Sequence, residues 1–324
     1  MGAILVTGGA GFIGSHVVDR LLAEGREVVV LDSFDDFYSP AGKRRNLESA
    51  SRHPGFRLVE GDIRDADAVL RTFDAARIDA VVHLAARAGV RPSIADPALY
   101  TSVNLDGTVV LLEACRRRGV SRFVFGSSSS VYGNNTKTPF SEDDPVDHPI
   151  SPYAATKRAG ELLAHTYHHL FRMDVACLRF FTVFGPRQRP DLAIRKFAEL
   201  MAAGDEIPVF GDGTTRRDYT YIDDIVDGVV RALLRGDGFH VWNLGGAQPV
   251  ILNDVISGLA RRLKREPRVK RLPPQAGDVE RTWADVSKAK QELDWAPATR
   301  FEEGLDAFVA WFQAERRRGF KEAG

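Results

Sequence analysis

The chain is poor in cysteine and carries no net charge, and both facts narrow the classes of protein to which it can belong. It has 324 residues, of which two are cysteines (Cys115 and Cys177), and its 44 basic residues balance 44 acidic residues. Two cysteines in predicted core segments exclude a disulfide scaffold and a cysteine metal cluster, and they fit a reducing cytoplasm. A balanced charge gives no reason to expect a nucleic-acid partner or a membrane surface.

Long apolar runs are also absent. No stretch approaches the roughly 20 apolar residues that a membrane helix needs, and no charged and apolar leader precedes the first predicted strand, Ala3–Val6. We therefore expect a cytoplasmic protein with no membrane partner and no bound metal. The length is sufficient for one large domain or two smaller ones.

Apolar, β-branched runs alternate with amphipathic stretches through residues 1–180, which is typical of βαβ units. The predicted strands are Ala3–Val6, Glu27–Leu31, Phe56–Val59, Ala80–His83, Phe123–Gly126 and Val175–Leu178, and the predicted helices are Phe12–Ala23, Ala66–Ala75, Leu99–Arg117 and Tyr153–Phe171. The parallel sheet of such units is covered by helices on both faces. We predict an α/β fold with a doubly wound parallel sheet of the Rossmann type over residues 1–180.

Residues 181–324 are less regular and predict a smaller, mixed α/β lobe that binds the substrate. The predicted helices are 193–203, Asp223–Leu234, Leu252–Leu263 and Phe301–Arg317, the short strands are Pro208–Gly213, Arg217–Tyr221 and Val241–Leu244, and a loop covers Leu272–Gln275. Paired prolines and glycine turns interrupt the pattern. We expect some of these segments to return to the first domain.

Three glycines between the first strand and the first helix predict a dinucleotide site. Gly8, Gly11 and Gly14 stand in the sequence Thr-Gly-Gly-Ala-Gly-Phe-Ile-Gly, so that Phe12 and Ile13 open the helix. The tight turn, the close approach of a pyrophosphate and the close packing of helix on strand all require glycine, and the helix N-terminus offers free N–H groups to an anion. Asp32 ends the second strand at the distance that the fingerprint requires. A carboxylate there can bind both ribose hydroxyls and would repel a 2′-phosphate, which favours NAD over NADP.

Charged residues near the second and third strands allow two interpretations each. Asp62 and Ile63 follow the third strand, where they could hold the edge and the face of an adenine ring, or Asp62 could cap the next helix. Lys43, Arg44 and Arg45 could bind a phosphate. For these three we expect a solvated helix face instead.

A tyrosine and a lysine four residues apart, Tyr153 and Lys157, open the helix after the fifth strand and predict a catalytic pair. This spacing places both on one helix face. The unperturbed pKa of a phenol, about 10, is too high for a base at neutral pH, but a neighbouring ammonium group and a positive nicotinamide would lower it. Four hydroxyls end the fifth strand, where open α/β sheets bind ligands, and they could orient a sugar: Ser127, Ser128, Ser129 and Ser130.

These motifs, in this order, resemble the extended short-chain dehydrogenase/reductase family, and in particular its NAD-dependent nucleotide-sugar epimerases and dehydratases. The resemblance extends from Ile4 to about Trp311 and includes the segment His83–Ala86. It implies that Leu84, Ala85 and Ala86 line the cofactor, and that Ser128 is the hydroxyl partner of Tyr153. It also implies that Arg217 binds the nucleotide diphosphate and Asp278 the nucleotide ribose. Gln275 departs from the pattern, since many relatives have an arginine there for phosphate.

Within the family, the resemblance is greatest to the UDP-glucuronate 4-epimerases. Dehydratases and decarboxylases carry carboxylates where this chain has Ser129 and Ser130, and a serine cannot replace a carboxylate as acid or base. The segments Asp32–Tyr38 and Arg179–Ala193 resemble the uronate epimerases, which implies that Thr182 and Arg189 bind the sugar carboxylate.

Three activities remain open on these residues. The favoured one is 4-epimerisation of a UDP-hexuronate with bound NAD. An epimerase of UDP-glucose or of a UDP-N-acetylhexosamine is the second, and a non-catalytic NAD(P)-binding regulator is the third. Many relatives form homodimers through two helices, which correspond here to Leu99–Arg117 and Tyr153–Phe171, so we expect a homodimer.

Overall fold

The strands of the computed structural model, which describes residues 2–273 and 279–319, follow the predicted alternation with helices. In chain order the strands are β1 (Ala3–Thr7), β2 (Val28–Asp32), β3 (Phe56–Glu60), β4 (Ile78–His83), β5 (Arg122–Ser128), β6 (Asp174–Phe180), β7 (Thr182–Phe184), β8 (Glu206–Phe210), β9 (Arg216–Tyr221), β10 (Phe239–Leu244), β11 (Pro249–Ile251) and β12 (Arg268–Leu272).

The α-helices of the same residues are α1 (Phe12–Ala23), α2 (Pro40–Asn46), α3 (Ala66–Ala75), α4 (Val90–Ala95), α5 (Pro97–Thr101), α6 (Gly107–Arg118), α7 (Pro152–Phe171), α8 (Ala193–Ala203), α9 (Ile222–Arg235), α10 (Leu252–Leu263), α11 (Ser287–Leu293) and α12 (Phe301–Arg317). Serine side chains cap the N-termini of α2 and α7, and proline stands in the first turn of both. No helix in the described ranges has both the length and the apolar character needed to cross a membrane.

Seven parallel strands form the main sheet, in the order β10-β6-β5-β4-β1-β2-β3. The prediction of a doubly wound parallel sheet is confirmed. Every residue of β1 and of β2 is buried, as expected for strands covered on both faces. The strand order reverses between β1 and β4, and ligands of such sheets bind at the carboxyl ends of the strands beside this point.

The second half of the chain contributes to the main sheet as well as to two smaller sheets. β10 pairs with β6 in the main sheet, and α9 packs against α1, so residues 222–244 belong to the main sheet and the helices that cover it. The remaining strands form two small sheets, β11-β9-β7 and β12-β8. A separate apolar core, with Phe197, Leu259 and Phe308 at its centre, holds α8, α10 and α12 together.

Three details of the predicted elements were wrong. The strand expected at Pro208–Gly213 ends at Phe210, because Gly211 and Gly213 adopt left-handed φ angles of 74° and 79°. Leu272, expected in a loop, ends β12 and pairs with β8, while Pro274 and Gln275 lie outside the described residues. The helix expected at Leu99–Arg117 is interrupted between α5 and α6 by a π-helical turn at Ser102–Asp106.

Candidate active site

The turn between β1 and α1 has the shape that a dinucleotide phosphate needs. Gly8 adopts a φ of 69°, a left-handed conformation that favours glycine. A Cβ atom at Gly14 would clash with the carbonyl oxygen of Gly8, and one at Gly11 would lie 3.1 Å from the same oxygen. Since α1 begins at Phe12, its first N–H groups have no partner within the helix, and they lie where Gly11, Phe12 and Ile13 line the cleft.

Asp32 lies at the end of β2 beneath this turn. Its two carboxylate oxygens accept hydrogen bonds of 2.9 Å, one from the backbone N–H of Ala10 and one from that of Phe34. Burial raises the pKa of Asp32, while these hydrogen bonds oppose the rise. Each oxygen keeps a lone pair for a further donor, so the carboxylate can accept from the two hydroxyls of a ribose.

The prediction that Lys43 lies on a solvated helix face was wrong. We expected Lys43, Arg44 and Arg45 on a solvated helix face, but Lys43 is buried and lines the same cleft as Asp32. Its ammonium group donates to the backbone oxygen of Asp35 over 2.5 Å and lies 4.6 Å from the centroid of the Tyr38 ring. Arg44 and Arg45 instead form ion pairs outside the cleft, with Glu60 and Glu315.

Asp62 and Ile63 both line the cleft at the end of β3. The capping residue of α3 is Asp65, whose side chain accepts from Asp67 and Ala68, so the alternative that Asp62 caps this helix was wrong. The carboxylate of Asp62 pairs with Arg64 at 2.7 Å, which lowers its pKa. Ile63 is buried, with its side chain against the bare Cα of Gly107.

Tyr153, Lys157 and Ser128 meet where β5 ends and α7 begins. Lys157 is buried, its ammonium group donates to the backbone oxygen of Gly126 over 2.7 Å, and it lies 6.0 Å from the centroid of the Tyr153 ring. Burial raises the pKa of Tyr153, and both a hydrogen bond from Ser128 and the charge of Arg189 act to lower it. Burial also lowers the pKa of Lys157 to about 8. At neutral pH Lys157 is therefore still mostly a cation.

The hydroxyls of the four serines differ in their hydrogen-bond partners. The hydroxyl of Ser127 is buried and donates over 2.6 Å to Glu161, which forms a buried ion pair with Arg179 at 2.9 Å. The hydroxyl hydrogen of Ser127 is therefore bonded within the protein and does not face the cleft. Ser129 and Ser130 form a 3-10 turn after β5 and line the cleft, and the hydroxyl of Ser130 donates to Ser128 over 3.0 Å.

Three residues from the second half of the chain also line the cleft, namely Thr182, Arg189 and Arg217. Arg189 binds both oxygens of Asp191, at 2.9 and 2.8 Å, and 18% of its side chain is exposed. Arg217 donates to the backbone oxygens of Arg216 and Glu280. Asp278 lies outside the described residues, as does Gln275.

One cleft thus brings together every described residue that the sequence analysis assigned to a cofactor or substrate site. These residues are Gly8, Gly11, Phe12, Ile13, Gly14, Asp32, Asp62, Ile63, Leu84, Ala85, Ala86, Ser127, Ser128, Ser129, Ser130, Tyr153, Lys157, Thr182, Arg189 and Arg217. Their roles remain predictions.

Arg87 was missed because it carries no motif of its own. Its backbone N–H and oxygen are both bonded by Asn104, from the π-helical turn, at 2.8 and 3.0 Å. Its guanidinium group pairs with Asp35 at 2.8 Å and lines the cleft, and its Nε is buried without a hydrogen-bond partner. The position of Arg87 directly after the matched segment His83–Ala86 is the signal that could have drawn attention to it.

Comparison with known proteins assigns the family. The profile of the NAD dependent epimerase/dehydratase family matches residues 4–245. The chain belongs to this family. A UDP-glucuronate 4-epimerase from Thermodesulfobacterium geofontis is 44% identical over 312 residues, which are 96% of each chain.

Two solved structures of family members have the same architecture. The UDP-glucuronic acid 4-epimerase from Bacillus cereus, in complex with UDP-glucuronic acid and NAD, is 38% identical, with a TM-score of 0.90 over 96% of this chain and 99% of that one. The UDP-glucose 4-epimerase from Thermotoga maritima, with UDP-glucose, is 36% identical, with a TM-score of 0.90 over 97% and 99%.

NAD is the cofactor of this family member, and the cleft fits it. Gly11, Phe12 and Ile13 line the cleft at the start of α1, and the clash of a Cβ atom at Gly14 with the oxygen of Gly8 shows that α1 packs on the turn as closely as glycine allows. The carboxylate of Asp32 is buried, and the donors around it satisfy one lone pair of each oxygen, so each oxygen can accept from one further donor such as a ribose hydroxyl.

Proposed function

We propose that this protein is an NAD-dependent 4-epimerase that interconverts UDP-glucuronate and UDP-galacturonate through a transient 4-keto sugar. One observation carries the proposal. Arg189 and Tyr153 line the same cleft, and the charge of Arg189 is near enough to oppose the rise in the pKa of Tyr153 that burial causes, so a cation suited to a sugar carboxylate stands beside the proposed base. The similarity to enzymes named for UDP-glucuronate supports this choice.

Tyr153 is the proposed acid and base. As a phenolate it takes the proton from O4 of the sugar, and as a phenol it returns that proton. Ser128 donates to the phenol oxygen and stabilises its charge, and Lys157, fixed by the oxygen of Gly126, supplies a neighbouring positive charge. The glycine turn, Asp32 and Lys157 would hold NAD in the cleft, where it would supply the acceptor and the donor of the hydride at C4.

Arg189 and Thr182 are the proposed carboxylate ligands, together with a serine of the loop after β5. The 4-keto uronate is a β-keto acid, which loses CO₂ most readily when its C5–carboxylate bond lies parallel to the carbonyl π system. A cation that holds the carboxylate away from this alignment protects the intermediate while the ring turns. Because the hydroxyls of Ser127 and Ser130 already donate to Glu161 and Ser128, Ser129, which lines the cleft, is the serine that supports this role.

The nucleotide part of the substrate has fewer described ligands. Arg217 is the proposed contact for the diphosphate, and Asp278 the proposed contact for the uridine ribose. The backbone bonds of Arg217 to Arg216 and Glu280 hold it beside the cleft, which supports the first assignment.

We further propose that the enzyme is a cytoplasmic homodimer. The two cysteines are buried free thiols, which suits a reducing compartment. The predicted dimer helix α7 carries exposed apolar side chains, Leu162, Leu170 and Phe171, of the kind that a helical interface buries. Sedimentation of the purified protein tests the dimer.

A 4-epimerase of neutral UDP-sugars is the second candidate, and one observation favours it. Arg189 already binds Asp191 through two of its three nitrogens, so part of its charge is neutralised within the protein. An arginine held in this way could be a structural element beside a neutral sugar. The similarity to the UDP-glucose enzyme of T. maritima supports the same alternative.

A panel of UDP-sugars separates these candidates. The purified protein is incubated with UDP-glucuronate, UDP-glucose and UDP-N-acetylglucosamine, and the products are separated and quantified. We expect UDP-galacturonate as the main product, with much lower turnover of the two neutral sugars. A preference for either neutral sugar contradicts the uronate proposal and leaves the epimerase reaction standing, while the absence of any epimer contradicts both.

A further inference from the structure

The loop that carries Arg189 is fixed by contacts from outside the cleft. This loop, residues 185–192, joins β7 to α8 and is here called the Arg189 loop. Arg187, two residues before Arg189, has a φ of 62°. Such a left-handed conformation is strained for a residue other than glycine, so it persists only where surrounding contacts hold the chain.

Gln188 is the buried centre of the loop, with 1% of its surface exposed. Its side-chain amide donates over 3.1 Å to the backbone oxygen of Val183, and its own N–H donates to Gly185. The backbone oxygen of Gln188 accepts a short bond of 2.6 Å from Arg195. This oxygen belongs to the same planar peptide unit as the N–H of Arg189, so fixing it also fixes the direction in which the Arg189 side chain leaves the backbone.

Arg195, which makes this contact with Gln188, is buried and fixed by neighbouring side chains. It lies in the first turn of α8 and is 7% exposed. Its Nε pairs with Glu199 at 2.9 Å, and its guanidinium group lies 5.4 Å from the centroid of the Trp311 ring on α12. Hence the donor that holds Gln188 is itself held by two other helical residues.

The opposite side of the loop is fixed to α1, the helix of the dinucleotide turn. His16 bonds the backbone oxygen of Pro186 at 3.0 Å, and Arg187 pairs with Asp19 at 2.8 Å. Burial and the neighbouring Arg187 lower the pKa of His16 to about 4. The ring is therefore neutral at pH 7, and its Nε2–H donates to the carbonyl.

We propose that Arg195 is a positioning residue for carboxylate recognition: by holding the carbonyl of Gln188, it aims Arg189 at the uronate and so sets the discrimination between charged and neutral UDP-sugars. The inference rests on the proposed function. A residue needed only for stability would weaken the binding of both sugars alike when it is changed. A positioning residue for Arg189 affects only the sugar that carries a carboxylate.

The test is calorimetric titration of the NAD-loaded protein with UDP-glucuronate and, separately, with UDP-glucose. Arg195→Met removes the donors and keeps the apolar stem beside Trp311. Arg195→Lys keeps a buried cation but has a single head group for Glu199 and Gln188. Arg262→Met is the matched control, because Arg262 is another ion-paired arginine with most of its side chain buried, 17% exposed against 8% for Arg195. It pairs with Glu302 and Asp306 and does not line the cleft.

We expect Arg195→Met to raise the Kd of UDP-glucuronate about tenfold, part of what a charged hydrogen bond contributes, and to change that of UDP-glucose by less than about twofold. Arg195→Lys is expected to give a smaller change of the same selectivity, and it decides the question if the methionine variant does not fold. Arg262→Met changes neither constant. Equal weakening of both sugars, or no weakening of either, overturns the proposal.

Arg189→Met, measured in the same way, separates failure of this inference from failure of the proposed function. If that variant loses affinity for UDP-glucuronate selectively and the Arg195 variants do not, only the positioning role is overturned. If Arg189→Met itself shows no selectivity, the carboxylate assignment is wrong and the role of Arg195 falls with it.

Discussion

Replacing Arg189 by methionine removes the proposed carboxylate ligand while keeping most of its apolar stem. A hydrogen bond to a charged group contributes about 1.5–3 kcal/mol, which corresponds to a rise of roughly 10- to 150-fold in the Kd of UDP-glucuronate. The same change should alter the Kd of UDP-glucose by less than about twofold, since that sugar has no carboxylate for the cation to bind.

Asp191 makes a second contribution to the change in the Kd of UDP-glucuronate, which must be separated from the loss of the Arg189 hydrogen bond. Arg189 binds both oxygens of Asp191, so Arg189→Met leaves that carboxylate without its partner, and it then repels a uronate. The Asp191 side chain is 38% exposed, and water screens much of this repulsion. The double variant Arg189→Met/Asp191→Asn removes it entirely.

Titration calorimetry of the two variants and the wild type with both sugars gives the two contributions. The double variant should recover a minor part of the lost affinity for UDP-glucuronate. Full recovery would refute the reasoning, because Arg189 would then act only by neutralising Asp191. Equal weakening of both sugars would refute it as well, since Arg189 would then support the cleft in general.

The remaining predictions concern the base, the cofactor turn and the second lobe. Tyr153→Phe should retain NAD and lose at least about 100-fold in kcat, and near-normal turnover would remove Tyr153 from the mechanism. Gly14→Ala should abolish retention of NAD on purification, because the new Cβ atom meets the oxygen of Gly8, while Gly11→Ala, whose Cβ atom would lie 3.1 Å from that oxygen, should weaken retention less. The NAD released from the denatured protein is measured. Equal retention of NAD by the two variants would contradict the account. Burial raises the pKa of Asp218 to about 6. Its contribution to the free energy of unfolding is therefore fully present below about pH 4 and is lost as the pH rises through 6. Asp218→Asn should flatten this part of the profile of unfolding temperature against pH, and an unchanged profile would contradict the assignment.

The main sheet was predictable because its inner strands are buried on both faces and consist of continuous apolar residues. The residues 3–7 and 28–32 show this directly. The glycine turn and Asp32 were predictable for the same kind of reason, since their spacing follows from the geometry of one βα unit.

The parts that the sequence did not predict depend on contacts between distant segments. Lys43 belongs to a short basic run that has the appearance of a solvated face, and only the tertiary structure buries it against Asp35 and Tyr38. The commitment of Ser127 to Glu161 spans 34 residues, and the contact of Arg195 with Trp311 joins two helices. No local pattern encodes such pairs.

The central claim is that the hydride removed from C4 returns to the same carbon from NAD that stays bound. The most direct test is to incubate the purified protein, without added NAD, with UDP-glucuronate deuterated at C4 in ordinary water, and to measure the label in the UDP-galacturonate formed by mass spectrometry and NMR. The account predicts turnover with the deuterium retained at C4. Loss of the label to water, or a requirement for added NAD in every turnover, would contradict it.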